Sequence, residues 1–109
     1  MPESTENPPR GNLQQTTLNP LLHEPARLSL LAALTPADYV DFATLLQLTG
    51  ASKSSLSKHL STLTGAGIVE VTPGPSDRRG RRVAFTPYGR TSFEEYLRNL
   101  ETLLRSARN

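Results

Sequence analysis

A short turn in the middle of the chain, Thr49-Gly50-Ala51-Ser52, constrains the fold more than any other feature. Leucines at helical spacing lie on both sides of it. Gly50 suits the left-handed residue that ends a helix, and Ser52 suits the N-cap of the next one. Two short helices joined by a glycine-containing turn of this size form a helix-turn-helix motif.

Further elements are predicted around this motif. A first helix is expected to begin at Asn19-Pro20, an N-cap followed by proline, and to be kinked or restarted at Pro25. A short strand is expected at Tyr39-Val40, and Asp41 is expected to cap the second helix. The third helix is expected to run from Lys53 to about Ala66.

A β-hairpin is predicted after the third helix. Residues 68–72 and 81–85 have strand patterns, and a turn-rich segment at 73–77 separates them. Thr86-Pro87 then caps a final helix with apolar residues at helical spacing. The predicted fold is mainly α with a small β-hairpin wing (α+β), that is, a winged helix-turn-helix with a C-terminal dimerisation helix.

These elements divide the chain into three parts. Residues 1–18 have almost no apolar content, so burial cannot offset the entropy cost of ordering them, and we expect a flexible arm. Residues 19–86 form the expected winged helix-turn-helix DNA-binding domain. Residues 87–109 form the C-terminal helix, the expected dimerisation element.

Composition excludes several classes of protein. The absence of cysteine excludes disulfide frameworks, zinc fingers and thiolate metal sites, and neither histidine has ligand spacing. No cofactor or metal is therefore expected. The chain has no secretory signal pattern and no run of eighteen apolar residues, so we expect a cytoplasmic protein without a membrane partner.

Positive charge is concentrated in the middle of the chain. Residues 1–49 contain two basic and five acidic residues, whereas residues 50–92 contain seven basic and two acidic ones. A local basic surface of this kind favours a polyanion as partner, although chance produces similar distributions.

The third helix is the candidate recognition element. Its leucines define the inward face, and serines with one lysine lie opposite, a narrow face that can enter a major groove and contact bases and phosphates. A serine-rich solvated face is the alternative, and the position between a helix-turn and a basic hairpin favours DNA. A phosphate contact and a partly buried, backbone-satisfied ring are equally open for His59. The candidate DNA contacts of this helix are Lys53, Ser54, Ser55, Ser57, Lys58, His59 and Ser61.

The hairpin supplies the second group of candidate DNA contacts. Arg78, Arg79, Arg81 and Arg82 place four guanidinium groups within five residues, which favours neutralisation by phosphate. We expect Asp77 to orient one of them, Arg79 in particular. A general preference for arginine is the alternative, because the chain has ten arginines and two lysines.

The final helix carries an apolar stripe that must be covered, either by its own domain or by a partner, and we favour a twofold dimer. The candidate dimer residues are Phe93, Tyr96, Leu97, Leu100, Leu103 and Leu104.

Arg27 lies on the apolar face of the first helix, where its guanidinium is expected to pair with a carboxylate or to contact the DNA backbone; a structural role is preferred. No role is assigned to His23.

Two segments resemble known families. The stretch from Leu56-Ser57-Lys58-His59-Leu60 to Gly67-Ile68-Val69, together with Asp77-Arg78-Arg79-Gly80-Arg81-Arg82 and Thr86-Pro87-Tyr88-Gly89, resembles MarR-type winged-helix regulators. His23-Glu24-Pro25-Ala26-Arg27-Leu28 resembles the first helix of ArsR-like proteins. The resemblance covers roughly residues 19–105 and is strongest to short, stand-alone winged-helix DNA-binding proteins.

The resemblance implies a homodimer whose third helices enter successive major grooves while the arginine-rich wings reach the minor groove or backbone. MarR proteins usually enclose a small-molecule crevice with longer helical extensions than this chain has, so an effector is possible and its identity is open. Metal sensing through the ArsR cysteine motif is excluded by composition.

The sequence therefore predicts a sequence-specific, double-stranded DNA-binding transcriptional regulator that acts as a homodimer and represses. The alternative is a winged-helix protein-protein interaction module without DNA binding, since fold does not dictate ligand. An enzyme is not expected, because the chain lacks a nucleophile motif, a phosphate-cradling loop and a buried carboxylate pair.

Overall fold

The computed structural model describes residues 18–74 and 80–109. The expected arm, apart from Leu18, and the segment 75–79 lie outside the described residues. The described elements are α1 (Pro25–Leu34), β1 (Val40–Asp41), α2 (Phe42–Thr49), α3 (Lys53–Gly65), β2 (Val69–Pro73), β3 (Arg81–Phe85) and α4 (Pro87–Arg108). This order confirms the predicted winged helix-turn-helix fold with a C-terminal helix.

The start of α1 agrees with the predicted restart at Pro25 and corrects the predicted helical start at Asn19-Pro20. The segment after Asn19 forms a turn, in which the backbone amides of Leu22 and His23 donate to the Asn19 carbonyl at 3.0 and 2.8 Å. The helix itself begins at Pro25, and the Glu24 side chain caps it by accepting from the Arg27 amide at 2.8 Å. A continuous helix from residue 19 is unfavourable because the ring of Pro25 would clash with a carbonyl one turn earlier.

The helix-turn-helix turn is built as predicted. Gly50 has a φ of 71°, in the left-handed region, and its amide donates to the Leu46 carbonyl at 2.9 Å. Ser52 caps α3, since its hydroxyl accepts from the Ser55 amide at 3.1 Å. The predicted cap by Asp41 is wrong in one respect: the residue stands at the N-cap of α2, but its side chain makes no capping hydrogen bond.

The three strands form an antiparallel sheet in the order β1-β3-β2. Val40 pairs with Val83, and Val69 pairs with Phe85. Two strands are displaced by one residue from the prediction, to Val40–Asp41 and Val69–Pro73, while Arg81–Phe85 agrees with it. The central position of β3 joins the helix-turn-helix to the hairpin.

One core unites all the elements. Leucines of α1, α2 and α3 pack with the inner side chains of the sheet and with two aromatic residues of α4. Each buried side chain of this size contributes about 1.5–3 kcal/mol relative to an exposed one. The buried core consists of Leu22, Leu30, Leu31, Leu34, Leu45, Leu56, Leu60, Leu63, Ile68, Val69, Val83, Phe85, Phe93 and Tyr96.

The start of α4 is clamped to the turn after α3. Gly67 has a φ of 77°, which turns the chain from α3 into β2. The Thr86 hydroxyl donates to the Gly67 carbonyl at 2.5 Å and accepts from the Gly89 amide at 2.8 Å, so it also caps α4 as predicted. A Cβ at Gly89 would overlap the carbonyl of Ile68. The Thr-Pro-x-Gly pattern therefore fixes the position of α4.

Two of the predicted dimer residues belong to the interior. Phe93 and Tyr96 are buried in the chain's own core, with Phe93 centred 5.7 Å from the Phe85 ring and 5.9 Å from the Tyr96 ring. They face inward because the clamp at Gly89 holds the first half of α4 against the sheet.

Among the described residues, no helix is both long and apolar enough to cross a bilayer.

Candidate nucleic-acid interface

The outer face of α3 is polar and exposed to solvent. Ser54, Ser57, Lys58 and Ser61 are all exposed on it, as is Lys53 at its start, while Ser55 is half-buried. The helix has no acidic residue in its first turn. This face therefore offers hydroxyl and ammonium groups to a polyanion without a repelling carboxylate.

The N-terminus of α3 adds a favourable field to this face. Aligned peptide dipoles leave a partial positive charge at a helix N-terminus, where amide N–H groups are available to anions. The Ser52 hydroxyl satisfies the Ser55 amide and lies 3.5 Å from the Ser54 hydroxyl. These small side chains leave room for a phosphate to approach the first turn.

A groove of about 430 Å³ separates α3 from the hairpin. Ser57, Ser61 and Thr64 line the helix side. Val71 and Arg81 line the hairpin side, and Phe42 and Leu60 are also part of the lining. The exposed face of α3 and the base of the hairpin are therefore neighbouring parts of one surface.

The two described wing arginines have different environments. Arg81 is exposed, and its Cζ lies 4.8 Å from the centroid of the Phe42 ring. Arg82 is half-buried, with Cζ 3.9 Å from the Tyr39 ring centroid, and its buried Nε has no hydrogen-bond partner among the described residues. Cation–π packing holds both side chains, but Arg81 is the more accessible to a ligand.

The tip of the hairpin lies outside the described residues. Its base is closed by a hydrogen bond from the Gly74 amide to the Gly80 carbonyl at 2.7 Å. Arg78 and Arg79, and the expected pairing of Asp77 with Arg79, fall between these two glycines. Their assignment to DNA binding remains a prediction.

Arg27 connects α1 to α3, which corrects its predicted partner. Its Nε donates to the Leu21 carbonyl at 2.7 Å, and its Nη1 lies 3.3 Å from Nδ1 of His59. The carboxylate near it, Glu24, accepts the Arg27 backbone amide instead of the guanidinium. That backbone hydrogen bond lowers the pKa of the Glu24 carboxyl below its usual value. His59 is therefore half-buried against an arginine side chain, and no backbone group of residues 18–74 and 80–109 bonds to its ring.

Two further polar contacts were not found from the sequence. Nδ1 of His23 lies 2.7 Å from the hydroxyl of Tyr96, and burial raises the pKa of that hydroxyl. Arg90 donates to the carbonyls of Thr35 and Ala37 at 3.1 and 3.2 Å. Arg90 thus braces the link between α1 and β1, although it was counted with the basic middle of the chain. Both contacts join residues more than fifty positions apart, for which no local pattern exists.

The second half of α4 leaves an apolar stripe uncovered. The buried residues of this helix, Gly89, Phe93 and Tyr96, all lie in its first ten positions. Beyond them Leu97 is 41% exposed and Leu104 is 50% exposed, whereas Leu100 and Leu103 are half-buried. Of the six predicted dimer residues, Leu97 and Leu104 are therefore the most exposed, while Leu100 also packs against the core.

Comparison with known proteins agrees with this architecture. Residues 26–104 match the sequence model of a family described as winged helix DNA-binding domain. No curated protein sequence matches the chain significantly.

Several solved structures have the same fold. A transcriptional regulator homologue from Pyrococcus horikoshii OT3 aligns with a TM-score of 0.81 and 21% identity, over 87% of this chain and 95% of that chain. BpsR of Bordetella bronchiseptica, whose DNA binding is regulated by 6-hydroxynicotinic acid, aligns with a TM-score of 0.68 and 23% identity, over 86% and 71% of the two chains. AbfR, solved bound to DNA, aligns with a TM-score of 0.64 and 19% identity; the match covers 69% of this chain and 55% of AbfR.

Proposed function

This chain belongs to the winged helix DNA-binding domain family, and from that premise we propose that it regulates transcription as a homodimer on double-stranded DNA. In the proposed complex α3 lies in the major groove, and the arginine-rich wing contacts the minor groove or the backbone. The bound dimer represses, because a protein that occupies promoter DNA blocks other proteins without needing an activating contact.

The exposed face of α3 carries this proposal. Ser54, Ser57, Lys58 and Ser61 are short or cationic, and they are presented by a helix that a capped turn and three buried leucines hold rigidly. Serine hydroxyls donate to and accept from base edges, while lysine binds phosphate. A rigid donor-rich helix face of this kind supports direct reading of sequence in a major groove.

The wing supports contact with a neighbouring part of the duplex. Arg81 emerges beside the groove that separates α3 from the hairpin, and its guanidinium is exposed. Arginine suits phosphate and a narrow minor groove because its planar fork makes two hydrogen bonds at once. Arg82 is expected to contribute less to DNA binding, because it is half-buried and its guanidinium packs on the Tyr39 ring.

The uncovered leucines of α4 support the dimer. Leu97 and Leu104 remain exposed beyond the buried first half of the helix, and Leu100 and Leu103 between them are only half-buried. A twofold dimer through this stripe would bury them and link two recognition helices, which half-sites about 34 Å apart require.

A protein-interaction module is the second candidate function. Its support is the same exposed leucine stripe, which a different protein could cover as well as a second copy. A protein-interaction function does not account for the basic wing or for the α3 face without acidic residues, so DNA binding is preferred.

The test is fluorescence anisotropy of labelled duplexes, including the DNA upstream of the chain's own gene, at several salt concentrations. Tight, salt-dependent binding with preference for one duplex is expected. R79A/R81A should lower the salt slope by about one per lost phosphate contact. R105A is the matched control, because Arg105 is 70% exposed and far along α4. Absence of binding even at low salt would exclude the DNA proposal.

A further inference from the structure

Arg27 joins three parts of the molecule around the recognition helix. Its Nε holds the carbonyl of Leu21 in the turn before α1, at 2.7 Å. Its Nη1 reaches α3 and lies 3.3 Å from Nδ1 of His59. The α1 cap by Glu24 holds the Arg27 backbone at the same time. The guanidinium is therefore fixed from both ends.

This contact determines which nitrogen of His59 carries the proton. An arginine guanidinium only donates hydrogen bonds, so Nδ1 of His59 must accept. A neutral imidazole whose Nδ1 accepts carries its hydrogen on Nε2. Arg27 thus selects the tautomer in which the far side of the ring is a donor.

Among the described residues, Nε2 of His59 has no acceptor. Within residues 18–74 and 80–109 the ring makes one hydrogen bond, the contact with Arg27, and Nε2 is not among the buried atoms that lack a partner. Nε2 is therefore not fully buried, on a half-buried ring beside Leu56 at the side of α3 that faces α1.

We propose that Arg27 is a positioning residue for DNA binding: it holds His59 so that Nε2–H donates to a DNA phosphate at the edge of the α3 interface. The inference rests on the proposed function. It differs from a direct phosphate contact by Arg27, because the guanidinium is already bound to Leu21 and His59. It also converts His59 from an undecided residue into a phosphate contact.

The first measurement uses the full chain without DNA. Nitrogen chemical shifts of the His59 ring at a pH where it is neutral report its tautomer. We expect the Nε2–H form in the wild type and a mixture of the two forms in R27A. His23 is an internal control, since it contacts Tyr96 instead. A predominant Nδ1–H form in the wild type would overturn the proposal.

The second measurement is DNA affinity and its salt slope for R27A, H59A and the double variant. We expect each single variant to lose about tenfold, and the double variant to lose no more than H59A, because Arg27 acts through His59. R27K keeps the charge but lacks the two-pronged donor, so it should not restore affinity. Thermal melting identifies any variant that is unfolded.

The outcomes separate this inference from the proposed function. Absence of DNA binding by the wild type would overturn both. Normal wild-type binding with additive losses for R27A and H59A, or full recovery with R27K, would overturn the positioning role alone and indicate a direct charge contact by Arg27.

Discussion

The helices α3 and α4 are both amphipathic, and they differ in what their outer faces present. The inward leucines of α3 are buried by the domain, and the outer face is serine and lysine. The inward residues of α4 are buried only in its first half, and leucines remain on the surface of the second. A polar outer face is stable in water. Exposed apolar side chains are unfavourable in water, and their burial by another protein surface lowers the free energy. The proposal that α3 binds DNA and α4 binds a second copy of the chain rests on this difference.

The largest effect is expected at Gly89, where the start of α4 packs against Ile68 in the turn after α3. G89A places a methyl group against the Ile68 carbonyl, so α4 must move away from the turn that follows α3. We expect a loss of about 3 kcal/mol in the free energy of unfolding, measured by chemical denaturation. G65A is the matched control: its Cβ meets nothing within 4 Å, and alanine should gain about 0.5 kcal/mol there. Equal stabilities of the two variants would contradict the clamp.

The next effect tests the apolar stripe of α4. L97Q/L104Q keeps the net charge and removes two exposed leucines, so the dimer should dissociate in sedimentation measurements. Loss of the linked second half-site should weaken DNA binding by about 100-fold. L48Q is the control, because Leu48 is 62% exposed on α2 and should not change the mass. A wild-type mass that is monomeric at every concentration would refute the dimer.

A smaller effect on DNA affinity is expected from a negative charge added to the polar face of α3, compared with the same charge at the end of α4. S57E introduces a carboxylate into the proposed DNA interface, and repulsion by phosphates should weaken binding by at least about tenfold. S106E places the same charge on the exposed end of α4 and should change affinity by less than about twofold. Both sites are exposed, so melting temperatures should be nearly unchanged. Similar losses for the two variants would show only a general effect of charge.

Much of the fold was predictable because its signals are local. Gly50 and Ser52 determine the turn between α2 and α3 through their own backbone and hydroxyl, and Thr86-Pro87 determines the start of α4 in the same way. The predicted helical start at Asn19-Pro20 was wrong, since this pair also suits a turn, whereas the restart at Pro25 was expected. Asp41 stands at the N-cap of α2 as expected, but its side chain makes no capping hydrogen bond. Residue type and position alone therefore do not establish a cap.

The candidate site was predictable in part for a similar reason. The polar face of α3 follows from helical period alone, so the exposure of Ser54, Ser57, Lys58 and Ser61 was expected. The different accessibilities of Arg81 and Arg82 were not, because they depend on Phe42 and Tyr39. No spacing rule joins residues that are distant along the chain.

The sequence by itself determined the order of the helices and strands, which face of α3 is polar and where the positive charge is concentrated, because these properties depend on neighbouring residues. Only the tertiary structure decided that Phe93 and Tyr96 belong to the core, that Leu97 and Leu104 of α4 stay exposed and that Arg27 reaches His59. Burial and long-range hydrogen bonds depend on the relative positions of elements, which packing sets after the elements have formed.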